Sequence, residues 1–422
     1  MSTKNVLISA ALLAGSLTTY AQTSTNSPYT RYGLGQLSDQ AFVNNAAMGG
    51  MGYGLRTNCH INTLNPASYS AVDSLTFMFD TGLTLTRSDF EENGYKTNAK
   101  NSTFDYMVMQ FRLIPRLGFA MGLLPYSNVG YNFSRTASVP GNEEVTATNM
   151  FYGEGGLHQV FAGLGFRVLP NLSVGANVGY LYGNLDYSTG LSLSTTSDRS
   201  IVYNNISVKS YKADFGVQYT YELNKNHRFT LGAVYGLGHQ LNSKETKGIQ
   251  IIENASQPSY SAKDEELIED AYGIPTTFGV GVVYQQKNNL TAGIDYELQK
   301  WSDVEYSGEK GKYNDRHRVA AGMEFLPNPL GRAYWKRIRY RAGVHYTSSY
   351  LKLPTGDGPK EYGISAGFGL PLHLYQRNTV LSVTGQYTRV KPSAGHLLSE
   401  NRFELKIGLT FIEHWFMKWK VN

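Results

Sequence analysis

The feature that most constrains this chain is a strict two-residue alternation near its C-terminus. Phe403, Leu405, Ile407, Leu409 and Phe411 share one face, and Glu404, Lys406, Gly408 and Thr410 share the other. Consecutive side chains of a strand point to opposite sides, so such a segment is an extended strand with one apolar and one polar face. The segment from Leu290 repeats the pattern, setting Leu290, Ala292, Ile294, Tyr296 and Leu298 against Thr291, Gly293, Asp295 and Glu297. The segment from Leu381 does so again. Each has a face suited to lipid and a face suited to a polar lumen.

Continuing this reading predicts fourteen strands, beginning near residues 74, 102, 116, 155, 172, 207, 227, 272, 289, 315, 337, 360, 378 and 401. The fold class is therefore all-β, a fourteen-stranded antiparallel transmembrane β-barrel, and the even count is the one a single-chain bacterial barrel needs. The connections agree. Short links at Ile114-Pro115, Pro170-Asn171, 224–226, 287–289 and 374–378, with a longer one at 326–336, alternate with long links at 138–154, 193–207 and 252–271. Short links are expected in the periplasm and long ones outside, which puts both termini in the periplasm of a Gram-negative outer membrane. Several strands, such as 172–193 and 227–251, exceed the ~9 to 11 residues that cross a bilayer and are expected to project beyond it.

Composition fits this reading. The chain has 44 Gly and 31 Tyr among 422 residues but is only 41% hydrophobic, as expected where alternate residues touch lipid and Tyr collects at the interfaces. Residues 1–21 read as an export signal, with Lys4, an apolar run over 6–15 and Thr19-Tyr20-Ala21 before a mature start near Gln22. That run is roughly half of the ~20 residues a spanning helix needs. The lone Cys59 cannot make an intramolecular disulfide, and no Cys follows the signal to carry a lipid. Residues 22–73 break the barrel rhythm and form a separate N-terminal segment, a plug or hatch within the lumen or a pad beneath it. The barrel is expected over 74–416 and a periplasmic tail over 417–422.

The small-residue run Ala46-Ala47-Met48-Gly49-Gly50-Met51-Gly52, then Asn65-Pro66-Ala67 shortly before the first strand, then fourteen strands, resembles the FadL family of outer-membrane transporters, in the form typical of the Bacteroidetes. The resemblance covers nearly the whole mature chain. It implies an N-terminal hatch with Asn65, Pro66 and Ala67 as its motif, and passive uptake of a small hydrophobic ligand that leaves sideways through a kink in the third strand. Here that strand carries Leu123-Leu124-Pro125-Tyr126 and then Gly130. Proline removes a ladder donor and belongs at a bulge, bend or edge. Pro125 and Gly130 are thus candidates for a lateral opening, against the plainer reading of a bulge, which is preferred. The architecture also resembles barrel subunits of secretion and assembly machines, which hold or shuttle proteins; fold alone does not choose between these activities. The expected partners are outer-membrane lipid, a small hydrophobic ligand, or other outer-membrane or periplasmic proteins.

Among polar groups, Arg337, Arg339, Arg341 and His345 share one face of the eleventh strand. That face must be the lumen, because Arg at the lipid midplane costs ~2 to 4 kcal/mol. Arg318, Glu324, Asp295 and Glu297 are expected on the same interior, either guiding an anionic head group or, the preferred reading, forming ion pairs that brace the wall or hold the plug. The run from Lys263 through Glu265, Glu266 and Glu269 to Asp270 reads as a solvated face or short helix more readily than as a divalent-cation site. No cofactor or metal is implied. Gly49, Gly50, Gly52 and Gly54 lack the strand-turn-helix setting of a phosphate cradle. The match Gly363-Ile364-Ser365-Ala366-Gly367 lies inside a predicted strand, not at a nucleophile elbow, so no enzyme is expected. A net charge of +5 from scattered Lys and Arg gives nucleic acid no footprint. Trp335, Trp415, Phe416 and Trp419 are expected in an interfacial girdle, with Lys418 and Lys420 reaching head groups.

Overall fold

The computed structural model describes residues 24–196, 198–253, 259–287, 289–354, 356–374, 377–393 and 398–414. The export signal, the C-terminal tail and the aromatic residues 415, 416 and 419 lie outside them. Fourteen antiparallel strands close into a barrel. They are β1 (Thr76–Glu92), β2 (Tyr95–Ile114), β3 (Leu117–Val139), β4 (Asn142–Leu169), β5 (Leu172–Leu193) and β6 (Arg199–Asn224). Two interrupted strands follow, β7 (His227–Gly236, His239–Gln240 and Ser243–Glu253) and β8 (Ser259–Glu269, Gly273–Ile274 and Thr277–Gln286). The circuit continues through β9 (Leu290–Gln299), β10 (Arg316–Phe325), β11 (Arg339–Thr347), β12 (Lys360–Leu374), β13 (Arg377–Lys391) and β14 (Ser399–His414). β14 pairs back onto β1, from Thr76↔His414 to Glu91↔Ser399, so the sheet has no terminal edge.

The alternation that marks the strands also sorts their faces. On β14, Phe403 and Leu405 are exposed while Arg402, Gly408 and Thr410 are buried. Round the wall, Val178, Phe215, Leu231, Val280, Ile294, Val344 and Ile364 are likewise exposed. An apolar ring of this extent would be an aggregation surface in water and is the natural surface toward lipid. No described helix is long and apolar enough to cross a membrane; the chain crosses with strands.

The inter-strand turns at one end are short, and the link of residues 326–338 there holds a turn of 3₁₀ helix at Tyr334–Arg337. Arg337 thus precedes β11 instead of belonging to it, and the arginine row begins at Arg339. Trp335 in this turn is 58% exposed, with the Lys336 ammonium 5.4 Å from its ring centre, as an interfacial anchor requires.

At the opposite, tall end the predicted long links prove to be strand. β2, β4, β6 and β8 begin at 95, 142, 199 and 259, well before the predicted starts near 102, 155, 207 and 272. β3 and β4 meet at a tight turn through Pro140 and Gly141, the latter at φ +86°. The carboxylate run is strand rather than helix as far as Glu269, with Glu265, Glu266 and Glu269 exposed. The physical reason is that both faces of a projecting hairpin are wet, so the apolar alternation disappears although pairing continues. One local signal did survive. Asn93-Gly94, at φ +50° and +83°, is the two-residue turn that joins β1 to β2.

Candidate functional site

Residues 24–75 thread the lumen before β1 starts, and the wall is shaped to receive them. Glycines face inward where hatch backbone touches the sheet. A Cβ at Gly118 would lie 1.9 Å from the Tyr69 carbonyl oxygen, and one at Gly232 would lie 1.9 Å from that of Tyr53. At Gly322 it would lie 2.3 Å from the Met48 oxygen. These strands come from distant parts of the circuit, so the hatch is held all round. Part of the high glycine content is thereby explained by close approach, not by turns.

The small-residue run lies within this contact zone. A helical turn over Val43–Ala46 ends at Gly49 and Gly50, whose φ values of +70° and +84° reverse the chain. Asn65 is fully buried, and its Oδ1 accepts from the Ala67 amide at 3.1 Å, capping the 3₁₀ turn Pro66–Ala71. Its Nδ2 donates to the carbonyls of Tyr53 at 2.8 Å and Val217 at 3.1 Å. Pro66 occupies the first helical position, where its missing amide is harmless. The three motif residues therefore form a structural cap that ties the hatch to β6.

Charged lumen residues hold the same segment. Asp295 accepts from the amides of Gly52 at 2.6 Å and Tyr53 at 2.8 Å. The Tyr53 hydroxyl donates to Glu297, which also receives Arg316 at 3.0 Å. Arg318 grips Asp39 through two bonds of 3.0 and 2.9 Å and donates to the Gly49 carbonyl at 3.2 Å. Arg339 and Arg341 both reach Glu324 at 2.7 Å, an ion triad between β10 and β11. His345 faces the lumen cavity described below. Ser365, the centre of the Gly-x-Ser-x-Gly match, accepts from the Gly49 amide at 3.1 Å and serves as another hatch contact.

A second feature lies where β2 and β3 meet. They pair only from Met107↔Leu123 to Ile114↔Leu117. Above that point β2 stays with β1 as far as Tyr95, and β3 stays with β4 as far as Val139. The parting coincides with Pro125. Beside it Tyr126 is the extra residue of a bulge, since Pro125 pairs His158 and Ser127 pairs Leu157. Beyond the bulge Val129, Gly130 and Tyr131 are all buried, so β3 has left the simple in-and-out rhythm of the wall.

The N-terminal segment lines this seam. Gln36–Leu37 adds a short antiparallel strand to β3, opposite Asn128 and Ser127. Ser38 donates its amide to the Tyr126 carbonyl at 2.9 Å, and Gln40 donates to that of Pro125 at 2.8 Å. The Thr30 hydroxyl lies 3.3 Å from both the amide and the carbonyl of Gly130. A cavity of ≈160 Å³ opens here, bordered by Thr103 and Asp105 of β2, by Pro125 and Asn128 of β3, and by Arg318, Arg402 and Lys406 from the lumen. A second, of ≈110 Å³, adds Leu37, Leu124, Tyr126 and Ile274 beside Lys212, Asp214 and Arg316. Asp39, Gln40 and Thr30 were not foreseen, because a polar residue in an irregular segment carries no periodicity that reveals its partner.

Above the hatch the lumen is packed rather than open. Trp301 is wholly buried, with its ring centre 4.4 Å from that of Tyr350, within a cluster that includes Leu34, Leu181, Ile206, Leu241 and Leu351. Residues 300–315 and 348–354, between late strands, fold inward to meet side chains of the wall and Leu34 of the N-terminal segment. Below, Phe42 stacks on Tyr106 at 3.9 Å, and the Tyr106 hydroxyl donates to Asp80 at 3.0 Å.

A closed fourteen-stranded barrel with an apolar girdle, an inserted N-terminal segment and a parted third strand defines an outer-membrane barrel of FadL-like architecture. The chain matches the model of the family described as BamG over residues 1–422, and it belongs to that family. Among solved structures it is similar to a Pseudomonas aeruginosa FadL homologue, with 12% identity, TM-score 0.61, and 90% of this chain and all of that one covered. The Ralstonia pickettii toluene transporter TbuX matches with 15% identity and TM-score 0.60, covering 89% of this chain and 98% of that one. The monoaromatic hydrocarbon channel CymD gives 15% identity and TM-score 0.59, with the same coverage. These likenesses establish the fold. No curated protein matches the chain.

Proposed function

We propose that this chain is a filled, non-conducting barrel that serves as a subunit or substrate carrier of an outer-membrane protein secretion or assembly complex, with both termini and the short turns on the periplasmic side. The observation that carries this reading is the occupancy of the lumen. The hatch is tied to strands around the circuit and an apolar core sits above it. The cavities beside the hatch, of ≈160 Å³ with a mainly polar lining and ≈110 Å³ with a mixed one, fall below the ~300 Å³ usual for a ligand pocket, and a more open hollow of ≈330 Å³ at the tall end, lined by Tyr187, Tyr272, Tyr306 and Tyr313, is cut off from them by the core. The tall, one-sided extension of β3 to β8 supplies an exposed surface for a partner. The hatch motif and glycine run support the Bacteroidetes form of the architecture. Native extraction in mild detergent, followed by mass spectrometry, is expected to recover a stoichiometric protein partner. A lone barrel carrying an apolar small molecule would refute the proposal.

The parted seam favours a second reading, passive uptake of a small hydrophobic compound that leaves sideways between β2 and β3. The channel and transporter titles of the similar structures point the same way. On this reading, Pro125→Ala slows uptake of a toluene-sized probe into liposomes. On the first, neither the native chain nor the variant admits it.

A further inference from the structure

The lipid-facing wall carries a built trough outside the lumen, running from β12 to the β2 edge of the seam. Cross-strand register places Ile364, Tyr387, Phe403, Arg87 and Lys100 in one continuous row across β12, β13, β14, β1 and β2. All five face outward. The next outward row toward the short-turn end runs Ala366, Gly385, Leu405 and Leu85. The two small residues lie directly opposite each other, so the wall sinks there while the upper row stands proud. Tyr387 and Phe403 form the upper wall, with ring centres 4.9 Å apart. The trough is open to the outside, offers ≈730 Å³, and its accessible lining is almost wholly apolar.

Its other end is cationic. Arg87 and Lys100 are direct cross-strand partners, both exposed on the outer face. Like charges directly opposite each other destabilise a strand pair. Asp89 offsets part of this, 3.1 Å from Arg87, and Arg389 lies across β14 from it, opposite Asn401. The level is also informative. Along β1 the outward residues Phe77, Phe79, Leu83 and Leu85 give way to Arg87 and Asp89, so the cations stand where the apolar girdle ends at the tall side. An anionic group at that height, attached to hydrocarbon lying in the trough, satisfies both features together.

We propose that this trough is a specific site for a phosphorylated glycolipid of the outer leaflet, with an acyl chain between the rows and its phosphate between Arg87 and Lys100. The site lies outside the lumen, so it stands whether the barrel is a complex subunit or a channel; it rests on the orientation given above. Gly385 provides the decisive test. A Cβ there meets nothing nearer than the Ala366 oxygen at 4.0 Å, so Gly385→Leu fills the trough without disturbing the sheet.

The full chain, Gly385→Leu and Arg87→Gln/Lys100→Gln are purified natively, delipidated in detergent and titrated with the purified outer-leaflet glycolipid, with native mass spectrometry as readout. The wild type is expected to retain one glycolipid. The Leu variant loses it at unchanged heat-modified gel mobility, and removing the two cations weakens binding by roughly thirtyfold. Dephosphorylated glycolipid is expected to bind as weakly as to the double variant. Absence of retained glycolipid in the wild type overturns the proposal, as does equal retention by Gly385→Leu. Preference for phospholipid, or a protein partner crosslinking to the trough in place of lipid, overturns it equally.

Discussion

The Glu324 carboxylate receives both Arg339 and Arg341, and the Arg341 side chain is 1% exposed. Removing one member of such a group leaves the others charged and unsatisfied away from water, which costs more than the pair contributes when intact. Glu324→Ala is therefore expected to lower stability by about 3 to 5 kcal/mol in denaturant titrations of the detergent-folded barrel. Arg87→Ala, which removes the exposed pair with Asp89, is expected to cost ~1 kcal/mol or less. The inward glycines make a sharper case. Gly232→Ala drives a methyl group against the Tyr53 carbonyl and must displace hatch backbone, whereas Gly385→Ala points into open space. Thermal unfolding should separate the two, with a clear loss for the first and almost none for the second. Equal melting temperatures would show that the hatch does not rest on the wall.

At the scale of elements, the N-terminal segment acts as a strap across the seam. Its strand Gln36–Leu37 has few ladder bonds of its own, and the two bonds from Arg318 to Asp39 hold it from the other side. Asp39→Ala is expected to loosen this strap while leaving the barrel closed, since no barrel strand is altered. Limited proteolysis should then cut between residues 30 and 41 in the variant and not in the native chain. Protection unchanged in both would assign the strap's stability to the Thr30 and Gln40 contacts instead. None of this partnering is legible in the sequence, because Asp39 and Arg318 belong to different kinds of segment and share no spacing. The fourteen strands were legible, because lipid on one side and a polar lumen on the other impose alternation wherever the wall crosses the membrane. The same logic explains the failures. Residues 142–154 and 259–269 lie where that solvent contrast fades, and they read as loops although they pair as strands. The inward face of Arg339, Arg341, Asp295 and Glu297 followed from the cost of charge in lipid. Their division between bracing the wall and holding the hatch depended on backbone that sequence does not locate.

The whole molecule is lopsided. β4 has 28 residues and β6 has 26, against 10 each in β9 and β10 and 9 in β11. At ~3.3 Å per residue the tall strands are more than twice as long as a bilayer crossing needs, so one side of the barrel stands as a paired wall above the membrane. A pore gains little from such a wall, whereas a barrel that must meet other proteins gains a surface. The lumen beneath is filled from both ends by elements of different origin, the hatch from before β1 and the apolar core from linkers between late strands. Conductance distinguishes a filled barrel from a channel directly. In planar bilayers the full chain is expected to show no steady ion current, because hatch and core each block the path. Omitting residues 24–73 should give a barrel that still inserts but stays nearly closed, since the Trp301 and Tyr350 core remains. Replacing residues 301–313 by a short glycine-serine link as well should open a steady current. A current already present in the full chain would show that a path runs past both obstructions, and the seam between β2 and β3 would be where to trace it.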